Sequence, residues 1–237
     1  MKELTTDLPK PMIPVGGIPV LERIVIGLAS SGISQFCIIT GYKEEVVRAH
    51  FGDGSRWNIL ITYARQEVQD GTGRVLRLAQ DFIKNDPFLL VYGDILVSNE
   101  TYKALQSLWQ EKPTDGIIAV KLGEEIQKGG MVIFDDAFHM REIAEKATLV
   151  ELEALRSRFG NFKPWYNAGI YAFTPMIFDY TSRLQKSARG EYELTDALRN
   201  MATDGRILRG HVISDYWVDV RDPEILDQVN QKFKAKS

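Results

Sequence analysis

The chain has 237 residues, 44% of them hydrophobic and 26% charged, which is enough apolar material for a sizeable core and argues against disorder. A formal net charge of −3 gives no basic footprint for nucleic acid or an anionic membrane surface, and no apolar run reaches spanning length. One cysteine, Cys37, cannot form an internal disulfide, and three scattered histidines, His50, His139 and His211, lack metal-ligand spacing and read as structural. With no signal peptide at its start, the chain is expected to be a soluble cytoplasmic protein.

Residues 3 to 19 carry prolines on either side of Lys10, so the segment is expected to be a stiff extended loop rather than a helix. Such a loop holds one lysine in a defined place, either as a phosphate ligand or as a solvated surface charge. Val20, Leu21, Ile24, Val25 and Leu28 sit at helical spacing over 20–31, with Gly32 as a stop. Phe36 to Tyr42 predicts a buried strand, Lys43 to Phe51 a helix, and Trp57 to Tyr63 a third strand after the Asp53-Gly54 turn. That alternation is the mark of a doubly wound α/β sheet.

Gln66 to Gly73 follows the third strand and leads into a helix over 74–84. Glycines at a helix entry can cradle a ligand with backbone N–H groups, and Gln66 can read a base edge; an ordinary strand-to-helix turn accounts for them equally. Phe88 to Asp94 is an apolar run ending in Gly-Asp. In open α/β sheets ligands lie beyond the carboxyl ends of strands, so Asp94 is either a carboxylate delivered to that crevice or part of a plain turn. Strands are expected around 116–122 and 131–134, an irregular stretch over 138–146, and a helix over 148–159. Asn167 reads as part of a Tyr-Asn-Ala-Gly turn, with Trp165 and Tyr166 beside it as core or sugar-stacking rings. A helix over 175–186, an exposed loop at 187–190, a helix over 194–202, a strand over 207–213 and a closing helix over 222–234 complete the pattern.

Asp219 ends the apolar segment Tyr216 to Val220, as Asp94 ends its own. A strand-end aspartate is costly to bury unless a cation or hydrogen bonds compensate. It could instead signal the helix that follows, but Asp222-Pro223 already supplies the cap and first turn of that helix.

Leu8 to Val15, Gln66…Asp70-Gly71-Thr72-Gly73, Val91-Tyr92-Gly93-Asp94, Glu145-Lys146, Asn167 to Tyr171, Arg189-Gly190-Glu191…Leu194-Thr195-Asp196 and Trp217 to Val220 stand in the order and spacing of the sugar-1-phosphate nucleotidylyltransferases. The chain resembles that family over essentially its whole length. The resemblance implies a Rossmann-like doubly wound mixed sheet flanked by helices, of the nucleotide-diphospho-sugar transferase type and glycosyltransferase-A-like, in one nucleotidyltransferase domain. Residues up to about 110 would bind the nucleotide, and the remainder the sugar while completing the metal site. It also implies transfer of a nucleoside monophosphate from a nucleoside triphosphate to a sugar 1-phosphate, with Mg²⁺. Asp94 and Asp219 would hold the metal, Lys10 the triphosphate and Lys146 the sugar phosphate. Gln66, Gly71, Thr72 and Gly93 would bind the nucleotide, and Tyr92, Glu145, Asn167 and Gly169 the sugar. Lys146 remains open to a simpler reading as a surface salt-bridge lysine.

Two departures stand out. The family opens with a buried strand and a glycine-rich phosphate loop, and neither is visible ahead of Glu3; since that strand is central in a doubly wound sheet, the full polypeptide is expected to contain it. After the Asp219 strand the family has Gly-Thr, where this chain has Arg221-Asp222. No hexapeptide repeats follow the catalytic region, so no β-helix domain is expected. A catalytically silent nucleotide-sugar-binding homologue that regulates a partner is the competing class. A glycosyltransferase is disfavoured because Ile95-Leu96, not an Asp-x-Asp triplet, follows Asp94. The Arg189 to Asp196 segment points toward UTP or dTTP as donor; the sugar and a possible homo-oligomer are not legible.

Overall fold

The computed structural model describes residues 8–111 and 114–234. The strand and phosphate loop expected ahead of Leu8 lie outside them. In chain order the strands are β1 (Pro14–Val15), β2 (Ile18–Pro19), β3 (Gln35–Thr40), β4 (Leu60–Arg65), β5 (Phe88–Val91), β6 (Ile95–Val97), β7 (Gly116–Lys121), β8 (Gly130–Phe134), β9 (Met140–Glu145), β10 (Trp165–Phe173), β11 (Leu208–Val212) and β12 (Trp217–Asp219). The helices are α1 (Val20–Ser30), α2 (Glu44–Phe51), α3 (Thr72–Leu76), α4 (Gln80–Ile83), α5 (Asn99–Glu111), α6 (Leu149–Phe159), α7 (Ile177–Thr181), α8 (Leu194–Thr203) and α9 (Pro223–Lys234). The described residues form two compact units, one drawn from 8–69, 91–104 and 215–234, the other from 70–90, 105–111 and 114–214.

In the first unit the proline-rich segment is not wholly extended. Lys10–Met12 makes one 3-10 turn, with the Met12 N–H donating to the Pro9 carbonyl at 2.8 Å. Pro11 is compatible with it because the first turn of a helix does not need its N–H. The chain then folds back as the β1–β2 hairpin through Gly16-Gly17. The Arg23 guanidinium holds that hairpin from α1, donating to the Val15 carbonyl at 2.9 and 2.6 Å. β3 and β4 pair in parallel, Gln35 to Leu60 through Thr40 to Arg65, with α1 and α2 as their helical partners in sequence. β4 starts at Leu60, later than the sequence indicates, because a 3-10 turn at Ser55–Trp57 takes up the residues before it. β12 runs antiparallel to β6. Pro223 opens α9, and the Asp222 carboxylate accepts the Ile225 N–H at 2.9 Å, so Asp222 is the cap its sequence position indicates.

The second unit is built on a six-stranded mixed sheet in the order β11-β7-β10-β8-β9, with β5 also paired to β10. β11 lies parallel to β7, and the β7–β10, β10–β8 and β8–β9 pairs are antiparallel. Strand twist brings the two ends of the order together: His139 bridges Arg209, and the Gly210 N–H donates to the Phe138 carbonyl at 3.0 Å. Residues 117–120 of β7 and 131–133 of β8 are buried.

Several elements differ from the sequence reading. Residues 138–146 are not irregular but contain β9; its alternation is disguised by Glu142, which is buried and paired with Arg199 and Arg158 rather than being apolar. Asn167 is not in a turn. It lies inside β10, where the register against β7 shifts between Asn167 and Tyr171, and Gly169 supplies the positive φ of 73° that this bulge requires. The helix expected over 175–186 is confined to Ile177–Thr181, because the Thr181 and Ser182 hydroxyls bond back to the Phe178 and Asp179 carbonyls and compete with the helical ladder. The helix expected over 74–84 is split into α3, a 3-10 turn and α4, and it starts earlier, at Thr72. β6 and α5 occupy a stretch to which the sequence reading assigned nothing.

Candidate active site

In the first unit the register of two short strands brings together carboxylates that lie far apart in sequence. β12 pairs with β6 so that Asp219 faces Ile95, and the Val220 N–H donates to the Asp94 carbonyl at 2.9 Å. Asp94 and Asp219 thereby sit on adjacent chain segments. The Lys10 ammonium, set by its 3-10 turn, contacts the Asp94 carboxylate directly and lies 3.9 Å from Asp219 Oδ1. Arg221 closes the group from the other side, 3.8 Å from Asp219 Oδ2. Asp219 Oδ1 is buried and accepts no hydrogen bond. Burial, and then the neighbouring charge of Asp94, push the Asp219 carboxyl up to about 6 against the opposing pull of Lys10 and Arg221.

Of the remaining candidates of this unit, Gly93 and Tyr92 lie at the same strand end, and Gln66 lies at the end of β4. Gly93 packs on Pro11, whose Cγ would stand 3.2 Å from an added Cβ, so the missing side chain lets the Lys10 turn lie close to Asp94. The half-buried Tyr92 accepts the Ile95 N–H on its carbonyl at 3.2 Å. Gln66 follows β4; its amide nitrogen donates to the Val68 carbonyl at 3.0 Å, and its backbone N–H donates to Thr40 at 2.7 Å.

Gly71 and Thr72 belong to the second unit and do a structural job there. The Gly73 N–H donates to the Tyr192 carbonyl at 2.8 Å, Tyr192 N–H to Asp70 at 2.7 Å, and Leu194 N–H to the Thr72 hydroxyl at 3.2 Å. An added Cβ on Gly71 would stand 2.4 Å from the Tyr192 oxygen, so only glycine lets these two loops lie together.

Glu145, Lys146, Asn167 and Gly169 are grouped in the same unit. Glu145 ends β9 opposite Gly130, and an added Cβ on Gly130 would stand 3.0 Å from Asn167 Cβ and 3.2 Å from Glu145 Oε2. Asn167 donates from Nδ2 to the Tyr171 hydroxyl at 2.7 Å and accepts the Gly169 N–H at 3.4 Å. Burial raises the Glu145 carboxyl, and Arg189, 3.8 Å away, partly offsets this. Arg189 also binds Glu193 at 2.6 Å. Lys146 is exposed and holds a left-handed backbone, φ 48°, with its N–H on the Gly129 carbonyl at 2.8 Å. Sequence reasoning gave Arg189 no site role; its only signal was its place at the head of the Arg-Gly-Glu motif.

Among the described residues no group of three or more His, Cys, Asp or Glu side chains is arranged to hold a metal. The Asp94–Asp219 pair is a two-carboxylate site, with one buried oxygen lacking a donor and a cation already drawn to it. That hard-oxygen pair suits Mg²⁺, which commonly takes one or two protein carboxylates and fills its octahedron with phosphate oxygens and water.

Residues 1–236 match the family model described as nucleotidyl transferase. The chain belongs to the nucleotidyl transferase family. This family member is 30% identical over 235 residues to the low-salt glycan biosynthesis nucleotidyltransferase Agl11 of Haloferax volcanii, covering 98% of this chain and 62% of the relative. It is 31% identical over 225 residues to the bifunctional protein GlmU of Methanococcus aeolicus, covering 94% of this chain and 49% of the relative. The chain thus spans about half to two thirds of the length of these curated relatives. It covers 93% of the UTP–glucose-1-phosphate uridylyltransferase AglF of Haloferax volcanii, at 26% identity over 238 residues and the whole of this chain. The fold matches that of a UDP-glucose pyrophosphorylase complexed with UDP-glucose, with a TM-score of 0.82 at 20% identity over 97% of this chain and 92% of that one. The mixed α/β architecture expected from the sequence is the one the solved structures share. No helix of the described residues is long and apolar enough to cross a membrane.

Proposed function

We propose that the chain transfers a nucleoside monophosphate from a nucleoside triphosphate to a sugar 1-phosphate, releasing pyrophosphate, with UTP or dTTP as the favoured donor. The observation that carries this reading is the convergence of Lys10, Asp94 and Asp219 on one another in the first unit. Displacement at phosphorus needs two polyanions aligned and their charge neutralised, and little covalent help. Mg²⁺, when bound, would draw charge from the phosphates and orient the attacked phosphorus.

The chain's own residues then take these roles. Asp94 and Asp219 hold the metal, and Lys10 supplies a positive charge to the triphosphate. Arg221 adds a second positive charge beside Asp219. Gln66, with its amide oxygen as acceptor, and Gly93, Gly71 and Thr72 serve the nucleotide. Glu145, Asn167, Gly169 and Tyr92 serve the sugar hydroxyls, and Lys146 its phosphate. Asn167, held on Tyr171 and on the bulge at Gly169, is pre-oriented for hydrogen bonding. We place this activity in the cytoplasm, in one nucleotidyltransferase domain over 1–237.

The test is a pyrophosphate-release screen with Mg²⁺ across UTP, dTTP, GTP, CTP and ATP against glucose, N-acetylglucosamine and mannose 1-phosphates. Release with UTP or dTTP and one sugar phosphate supports the proposal. Nucleotide-sugar binding without turnover in any combination overturns it.

A further inference from the structure

The cation that the carboxylate pair attracts is, in this structure, part of the chain itself. The Lys10 ammonium contacts Asp94 and stands 3.9 Å from the buried, undonated Oδ1 of Asp219. It arrives on a turn fixed at both ends: Met12 N–H is bonded to Pro9, and Ile13 N–H to Lys10. Pro11 packs against Gly93, the residue before Asp94. The backbone therefore aims the lysine at the carboxylates. Arg221 neutralises only the far oxygen, Oδ2, at 3.8 Å. One ammonium thus does for both aspartates what a divalent ion would otherwise do.

We propose that Lys10 is an internal counter-ion that competes with the divalent cation for Asp94 and Asp219, so that cation and nucleotide bind as a coupled pair. This deepens the function proposed above and rests on that reading of the carboxylates. Two positive groups cannot share the pair without repulsion. A divalent ion entering alone must displace the ammonium from the only carboxylates it is paired with among the described residues. A triphosphate gives the ammonium a new partner, and the same event supplies the phosphate oxygens that complete the cation's coordination. Free cation is therefore bound weakly, and the nucleotide-bearing cation tightly. The ammonium offsets part of the charge of the two carboxylates, since an unpaired buried carboxylate is costly.

The test reads the protein without nucleotide or turnover. Mn²⁺ alone is titrated into wild type, Lys10→Met, Lys10→Arg and the double variant Lys10→Met/Asp94→Asn, and free Mn²⁺ is counted from its electron paramagnetic resonance signal. Removing a unit charge at this distance from a largely buried pair is expected to tighten Mn²⁺ binding about tenfold in Lys10→Met. Lys10→Arg should bind Mn²⁺ as weakly as wild type, and the double variant should lose the gain. If Lys10→Met does not fold, as judged by circular dichroism, Lys10→Gln takes its place. Mn²⁺ affinity that is unchanged or weaker without the lysine overturns the proposal, as does a gain that survives loss of Asp94. An empty pyrophosphate-release screen would sink the proposed transfer reaction and leave this comparison intact.

Discussion

Replacing Asp219 with asparagine should make the protein more stable and inactive at once. Burial and the Asp94 charge raise the Asp219 carboxyl from an ordinary 3.8 to about 6 in the folded chain. Between those two values the unfolded chain has lost its proton and the folded chain has kept it, so the native state binds more protons. Wild-type stability contributed by this group is therefore greatest at low pH, and it falls as pH rises from 3.8 through about 6. At about 1.4 kcal/mol for each pH unit the full difference is near 3 kcal/mol. The side chain is partly exposed and Lys10 more so, and screening lowers the expected gain to about 1–2 kcal/mol at neutral pH. Asparagine copies the protonated form in shape and charge, so the gain should be full at pH 7.5 and vanish near pH 4. For a chain of this length that is a rise in melting temperature of about 2–8 °C at pH 7.5. The assay is thermal unfolding of wild type and Asp219→Asn at pH 4, 5.5 and 7.5, followed by pyrophosphate release with Mg²⁺. Turnover should fall at least about a hundredfold. A destabilised variant at pH 7.5, or a gain that does not depend on pH, would refute the placement of Asp219 as an undercompensated buried carboxylate.

Gly71→Ala should destabilise by about 2–3 kcal/mol, because its φ of 114° and the Tyr192 oxygen 2.4 Å from an added Cβ leave no room; chemical denaturation measures this, and a neutral result contradicts the loop packing. Arg199→Ala leaves Glu142, 6% exposed, with Arg158 as its remaining ion-pair partner and the Ile143 N–H as a neutral donor, and also removes the guanidinium donor to the Ile143 carbonyl; a loss of about 2–3 kcal/mol in the same assay is expected. Arg189→Ala should push the Glu145 carboxyl further up, since Arg189 is the largest influence opposing its burial, and carboxyl-labelled NMR titration reads the direction. Thr148→Ala removes a capping box with Glu151 and should cost about 1 kcal/mol, seen as a lower denaturation midpoint.

The two aspartates illustrate what local chemistry can and cannot say. Each ends an apolar segment, and Asp222-Pro223 removes the helix-cap alternative for Asp219, so both were visible as candidates before any contact was known. That Asp94 and Asp219 lie side by side follows from the antiparallel register of β6 and β12, and no local pattern records which strand pairs with which. β6 is three residues long and lies beyond the strand that carried the signal, so it offered too little periodicity to be recognised.

The sequence by itself determined the alternation of helices and strands in the first unit, the stiffness of the segment that carries Lys10, the capped closing helix and the two strand-end aspartates as candidates. These are set by spacing over a few residues, by proline's fixed φ and by capping groups, all of which act locally. Only the tertiary structure decided that β9 is a strand, because Glu142 turns inward to meet arginines contributed by α6 and α8. It alone decided that Asn167 rides on a bulge, that Gly71 and Thr72 are engaged with residues 192 to 194, and that the lysine rests on the carboxylates. Each of those depends on a charge or a register satisfied from a distant part of the chain, and long-range pairing leaves no periodic trace in the residues that take part.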